Sequence, residues 1–454
     1  MINNKDANLI DVTLWQVLHQ QHAKEKFNIF SANLFKDTPK TVAVFCGDAN
    51  RLEDVINMVR QAAQEIDLFI SADLTSTIPD DIHFQLASQF SKHYEYIIDV
   101  IAAIDTGALL EHQLEMIDLL NKSQGVIIAL DCPSGLNPNT GEIRQGMVHA
   151  HATLSRYAYL QGLFAPKAKD FVGQLELLTP SPYLIDKECL ISLYPKRNKY
   201  VSKGSFRRVK VIAGQAEMFG ASVLAAYAAL VMGAGLVEVY YPSEITPPYG
   251  ELPEIIWHPL QQFQGIGLHS EDIIVIGPGL GFDKWGQAAW NWVKNIANPT
   301  VADAGALHYL AKDALRRNNW IITPHPGEAA QLLGMTVACI QKDRCAAIKA
   351  LHSKYHSSVV LKGFGSLVLG ANNVIKACPY GNPGMAAPGM GDVLSGLIAG
   401  CMAQIANIED AANLAVGLHA LAGDAVMQQH PAMIVRPKIL IKQLQNHMQD
   451  LLFK

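Results

Sequence analysis

Short apolar runs that stop at a glycine or a polar residue recur along this chain, the pattern of buried parallel strands whose ends carry turns. In the first half, TVAVFCG (Thr41 to Gly47), YIIDVI (Tyr96 to Ile101) and GVIIALDCPSG (Gly125 to Gly135) have this form. A passage with prolines and clustered charges, TPSPYLIDKECLISLYPKRNKYVSKGS (Thr179 to Ser205), then interrupts the rhythm. It restarts with RVKVIAG (Arg208 to Gly214), a small-residue helix GASVLAAYAALVMGAG (Gly220 to Gly235) and VEVYYP (Val237 to Pro242), a strand, helix and strand unit. DIIVIGPGLG (Asp272 to Gly281), PTVADAGAL (Pro299 to Leu307), WIITPHPGE (Trp320 to Glu328) and SVVLKGFGS (Ser358 to Ser366) predict further strands. After Gly391 the pattern is helical, through DVLSGLIAGCMAQIA and AANLAVGLHALAGDAVMQQH. The reading is two α/β domains, residues 1–190 and 191–454.

Composition narrows this little. At 454 residues the chain is too long for a single core, and with 50% apolar and 17% charged residues it has ample material for two. A net charge of −5 gives no general reason to bind nucleic acid or an anionic membrane. Seven cysteines without a C-x-x-C pair fit a reducing compartment better than a disulfide or zinc scaffold. The start, MINNKDANLIDV, lacks a basic region followed by an apolar core, and no apolar run approaches the roughly 18 residues of a spanning helix. A cytoplasmic protein without membrane partners is expected.

The strongest chemical signal is GNPGMAAPGMGDVLSGLIAG (Gly381 to Gly400), where a glycine-rich turn delivers Asp392 at the start of an apolar helix. Open main-chain amides and the positive helix end suit phosphate oxygens, and glycine lets the backbone approach them. Asp392 could then accept a proton from an attacking hydroxyl. The same spacing also suits an ordinary turn whose aspartate caps a helix.

GMGD, with GPGLG before it and TPHPGE and LKGFGS between, resembles the dehydratase half of the bifunctional NAD(P)H-hydrate repair enzymes. The likeness runs from KGSF at Lys203 through GAGLV at Gly233 and ADAGAL at Ala302 to LHALAGD at Leu418. It implies a ribokinase-like three-layer α/β/α domain that uses ADP or ATP, with Mg2+, to phosphorylate the hydroxyl of hydrated nicotinamide, NAD(P)HX. Phosphate then leaves. By this resemblance Asp392 is the base, and the amides of Gly389, Met390 and Gly391 form the anion hole. Lys362, Gly363, Phe364, Gly365, Ser366 and Gly391 fall on the adenine nucleotide side. Ala221, Gly281, His325 and Asp392 fall on the hydrate side. Taken alone, His325 reads as a structural hydrogen-bonding group after a strand, and Lys362 as a strand-end charge. Departures from the family pattern are Ala387 and Pro388 for threonine and glycine, Gly305 for the second aspartate of D-A-D-A-L, and Arg207 for glycine.

Upstream, ALDCPSGLNPNTGEI (Ala129 to Ile143) resembles the D-x-P-S-G loop of the family's epimerase domain, which implies a Rossmann-like three-layer sandwich. Asp131 then falls on the substrate side, and Asp99 and Ser134 where the family places potassium. On residues alone, PSG and NPNTG make a turn without any ligand. The family's G-N-N-G-G-D-G cradle is replaced by GDANRLEDV (Gly47 to Val55), and Leu160 stands at the position of the A-P-K lysine. A weak or inactive epimerase domain in a homo-oligomer is expected. Two rivals to the dehydratase reading are a kinase of a small alcohol or vitamin precursor and a non-enzymatic nucleotide-binding regulator.

Overall fold

The structure, a computed structural model, describes residues 41–61, 66–90, 94–102, 108–155, 160–177, 184–196, 200–201, 203–246, 252–430 and 434–453. The expectation drawn from MINNKDANLIDV lies outside the described residues. The chain divides into two compact units between residues 183 and 184.

The first unit is built on one parallel sheet. Its strands are β1 (Val42–Cys46), β2 (Ile66–Ile70), β3 (Gln85–Leu86), β4 (Tyr96–Val100), β5 (Val126–Leu130), β6 (Ala152–Ser155) and β7 (Gln174–Leu177). They lie in the order β3-β2-β1-β4-β5-β6-β7. Val42, Val44 and Cys46 face one core while Ala43 and Phe45 face the other, which is why β1 reads as an unbroken apolar run. Chain direction across the sheet reverses between β1 and β4, so a crevice opens at their carboxyl ends, where open α/β sheets bind ligands. Strands β2 and β6 escaped the sequence reading because each carries an internally satisfied polar residue. Asp67 accepts the Tyr94 hydroxyl at 2.6 Å, and the Thr153 hydroxyl bonds the Val172 carbonyl at 2.7 Å.

The second unit holds β8 (Arg208–Ile212), β9 (Leu236–Pro242), β10 (Ile256–Leu260), β11 (Ile273–Ile276), β12 (Thr300–Ala302), β13 (Trp320–Ile322), β14 (Ser358–Leu361), β15 (Leu367–Leu369) and β16 (Ile375–Ala377). Their order is β10-β9-β8-β11-β12-β13-β14-β15-β16, parallel as far as β14 and antiparallel beyond. Val211 sits between Val239 and Val275 in register. One face of the sheet packs on the helices Phe219–Val231, Met390–Met402 and Ile408–Gln429. On the other, Trp320 meets Trp290 of the helix Lys284–Val293 edge to face at 5.9 Å. Three strands went unforeseen: β10 is a half-exposed edge containing His258 and Pro259, and β15 and β16 are a hairpin of three-residue strands. Among the described residues no helix is long and apolar enough to cross a membrane.

Residues 184–190, placed with the first domain from sequence, pack with the second unit. The Ile185 amide donates to the Ala377 carbonyl at 2.9 Å, and Leu190 lies against Gly417.

The helix Met390–Met402 lies unusually close to its neighbour. A Cβ on Gly396 would stand 2.1 Å from the Ala225 carbonyl oxygen, and one on Gly400 would stand 2.5 Å from Met232 Cβ. Glycine at both positions, facing Ala225, Ala228 and Ala229, lets the two backbones touch.

Candidate active site

Loops at the carboxyl ends of β8, β11, β12, β13 and β14 meet at the start of the helix Met390–Met402. The Gly277–Gly281 loop is tied to the end of β8: the Gln215 amide donates to the Gly279 carbonyl at 2.9 Å, and a Cβ on Gly214 would lie 1.5 Å from that oxygen. Ser222 Oγ donates to the Pro278 carbonyl at 2.9 Å, and the Tyr309 hydroxyl to that of Gly281 at 3.0 Å. Leu224, two residues after Ser222, rests on Gly389. The helical turn bearing Ala221 therefore borders both the loop of Gly281 and the turn of Gly389.

Beneath these loops is a charged cluster around the buried Asp303. Lys362, at the end of β14, places Nζ 2.7 Å from Asp303 Oδ1 and 3.7 Å from Glu328 Oε2. Ser395 Oγ donates to Asp303 Oδ2 at 2.8 Å, and its oxygen lies 3.1 Å from the Gly391 carbonyl. A Cβ on Gly391 would sit 3.2 Å from Lys362 Nζ and 3.5 Å from Asp303 Oδ2, so glycine is what lets GMGD and LKGFGS meet. Burial alone would push the Lys362 ammonium down, but the carboxylates of Asp303 and Glu328 outweigh it and hold it above its ordinary value. Burial likewise opposes ionisation of Asp303, yet the lysine holds that carboxyl below its usual range. Asp392 behaves oppositely. Burial, then the Asp303 charge, pushes its carboxyl up to about 6, with Lys362 pulling against them.

Gly389 begins the helix in the left-handed region at φ 90°. The Met390 amide donates to the Ala387 carbonyl at 3.3 Å, and the Val393 amide to that of Gly389 at 3.1 Å. Gly391 and Asp392 belong to the open first turn, whose amides no carbonyl four residues back can serve. Pro388 contributes no amide. The other departures have local causes: a Cβ on Gly305 would stand 2.1 Å from the Leu280 carbonyl oxygen. Arg207, before β8, bonds the Met402 carbonyl at 3.5 Å, at the opposite end of the helix from Asp392.

His325 caps the helix Pro326–Leu333. Its Nδ1 accepts from the Gly327 amide at 3.0 Å, and Glu328 returns a bond from the His325 amide at 2.8 Å. Its Nε2 lies 3.6 Å from Glu328 Oε1, and the side chain is 56% exposed. The loop Lys362–Ser366 has Gly363 at φ 145° and Gly365 at φ 61°, and Ser366 Oγ donates to the Gly363 carbonyl at 3.1 Å.

Sequence reasoning missed several residues here, Ser395 among them. Arg344, buried, donates to the carbonyls of Leu361, Phe364 and Gly365, at 3.2 Å to the first and 3.0 Å to the last, and so holds the LKGFGS loop from below. Burial pulls its guanidinium down to about 10. Asp303 lies within ADAGAL, and its signal is an aspartate directly after a strand. His419 bonds the Met390 main chain, while its Nε2 is buried without a partner among the described residues. Burial, aided by the Lys362 charge, brings its pKa to about 4, so the ring is neutral.

In the first unit, Asp99 is the penultimate residue of β4, and Asp131 and Ser134 follow β5. Ser134 Oγ donates to Asp99 Oδ1 at 2.6 Å, so these two predicted residues do meet. Leu160 is fully buried, and the lysine of the nearby APK, Ala165 to Lys167, which is out of register with the family's A-P-K, is exposed. Among the described residues no group of three or more histidine, cysteine, aspartate or glutamate side chains converges as a metal site.

An open sheet with a glycine turn, a half-buried lysine and a carboxylate at a helix start defines a ribokinase-like domain. A ribokinase-like superfamily protein from Enterococcus faecalis has the same fold, with a TM-score of 0.51 and 26% identity over 59% of this chain and 95% of that one. An ADP/ATP-dependent NAD(P)H-hydrate dehydratase from Bacillus subtilis, crystallised with ATP and Mg2+, gives 0.53 and 26% over 59% of this chain and 98% of that one. Residues 209–446 match the family model described as NAD(P)H-hydrate dehydratase, and residues 52–162 the one described as YjeF-related protein N-terminus. The bifunctional NAD(P)H-hydrate repair enzyme of Coxiella burnetii is 38% identical over 329 residues, 69% of this chain and 67% of that one. That of Escherichia coli is 38% identical over 325 residues, 69% of this chain and 63% of that one. The chain belongs to the bifunctional NAD(P)H-hydrate repair enzyme family.

Proposed function

We propose that the second unit restores hydrated NAD(P)H, spending ADP or ATP. The terminal phosphoryl group passes to the hydrate's hydroxyl, Asp392 takes the hydroxyl proton, and phosphate leaves with loss of a neighbouring ring proton so that the ring double bond re-forms. The observation that carries this reading is Asp392 itself: a carboxyl poised at about 6, in the open turn of a helix, beside a half-buried lysine. A base near neutrality is ionised at working pH yet basic enough to accept a proton. The Gly391 and Asp392 amides, with Gly389, supply the anion hole, and Met390 contributes less because its amide already has a partner. Lys362 supplies fixed positive charge to the nucleotide phosphates, with Gly363, Phe364, Gly365 and Ser366 along the nucleotide. Ala221, Gly281 and the exposed ring of His325 line the hydrate side.

Mg2+ fits as a companion of the nucleotide rather than as a resident ion. It favours oxygen ligands, and among the described residues no three histidine, cysteine, aspartate or glutamate side chains converge to hold an ion by themselves, so phosphates and water complete its shell. Bound there, it would neutralise phosphate charge.

In the first unit we propose weak or absent epimerase activity, because the glycine cradle is replaced and Leu160 stands where a charge is expected. The test is recovery of dihydronicotinamide absorbance from separated S and R hydrates with nucleotide. The S hydrate should be consumed and the R hydrate largely left. Equal rates on both would overturn the epimerase part, and no recovery from S would overturn the whole.

Arg344 acts here as a positioning residue. Arg344→Lys loses the fork that reaches several carbonyls. The nucleotide KM should rise roughly tenfold, the loss of about 1.4 kcal/mol, with kcat changed far less. An unchanged nucleotide KM would argue against that role.

A further inference from the structure

We propose that the N-terminal unit carries its own cation: the Arg51 guanidinium fills the acidic pocket at the ends of β4 and β5, in place of the potassium ion that the family resemblance implies. Arg51 lies in the first turn of the helix Ala49–Gln61, directly after β1, within the segment that replaces the glycine cradle. It is 3% exposed. Its Nη2 donates to the Leu130 carbonyl at 3.3 Å and to Asp131 Oδ2 at 3.4 Å. Asp131 is fully buried and held at φ 69°, a conformation that aspartate tolerates and that turns its carboxylate to the guanidinium.

The oxygens of Asp99 and Ser134 are engaged as well. Asp99 Oδ1 accepts from Ser134 Oγ at 2.6 Å and from the Ile101 amide at 3.1 Å, and Oδ2 accepts from the Ser134 amide at 2.8 Å. Ser134 Oγ in turn accepts from the Ala102 amide at 3.0 Å. A potassium ion must replace its hydration shell with oxygen lone pairs. Here the carbonyl, both carboxylates and the hydroxyl already take N–H or O–H donors, and the permanent charge of Arg51 would repel a second cation at short range. These residues do not fit the ion. Asp131 is accordingly committed to Arg51 rather than to a ligand.

The test uses the full chain, with hydrogen–deuterium exchange of residues 99–102 and 130–136 measured at equal ionic strength in potassium chloride and in choline chloride. Wild-type protection should agree between the two salts within about twofold. Arg51→Met should exchange at least about tenfold faster there, with Arg51→Lys, similar in length but charged, keeping more of the protection. Potassium-specific protection of the wild type by tenfold or so, or a methionine variant as protected as the lysine variant, would overturn the proposal. If neither variant accumulates folded, the wild-type comparison decides alone.

Discussion

Asp392→Asn should lower turnover of the S hydrate by about 10²- to 10⁴-fold, the usual contribution of a positioned base, while leaving nucleotide binding within a fewfold of wild type. The substitution keeps the shape of the side chain and the open helix turn but removes proton acceptance. In the wild-type enzyme the ionised carboxylate is the working form. Because burial and Asp303 push this carboxyl up to about 6, kcat/KM should fall as pH drops through that value and level off above it. Steady-state rates from pH 4.5 to 8, with nucleotide binding by calorimetry, test both statements. An asparagine variant that keeps a tenth of the rate would remove Asp392 from the chemistry.

Asp303→Asn should be the most destabilising single change in this cluster. It leaves Lys362 charged and half-buried without its 2.7 Å partner. Breaking a buried pair costs about 3–5 kcal/mol, and the lower end is expected because Glu328 remains beside the lysine. At roughly 2–4 °C per kcal/mol the loss is readily seen in thermal denaturation. The same variant moves the acid limb of the rate profile to lower pH, since Asp303 is one of the charges that raise Asp392 and Lys362 is then freer to lower it. A melting point within a degree or so of wild type would show that the pair contributes little.

Elements that bury apolar side chains on both faces of a sheet announce themselves in sequence. β1, β4, β5, β8, β9 and β11 to β14 are of this kind. Strands whose polar residues find internal partners do not, and Thr153 in β6 reads as a break although its hydroxyl is satisfied. The Asp392 turn is legible because glycine, aspartate and an apolar helix follow one another locally. Arg344, Ser395 and the Asp303 to Lys362 pair are not, since each acts on main chain or side chains brought near only by the sheet. Arg51 is the sharpest case. Within GDANRLEDV it resembles any helix-surface charge, and only the placement of β5 beside β4 turns it inward.

The contact of Gly396 and Gly400 with the alanines of the adjoining helix bears on how accurately the reacting carboxylate is aimed. With little more than the Cβ atoms of Ala228 and Met232 between the two backbones to absorb a shift, any enlargement of Ala225, Ala228 or Ala229 is passed along the helix to its first turn. Residues that never meet nucleotide or hydrate thereby govern the angle of proton acceptance, and their replacement should be felt in turnover before it is felt in affinity.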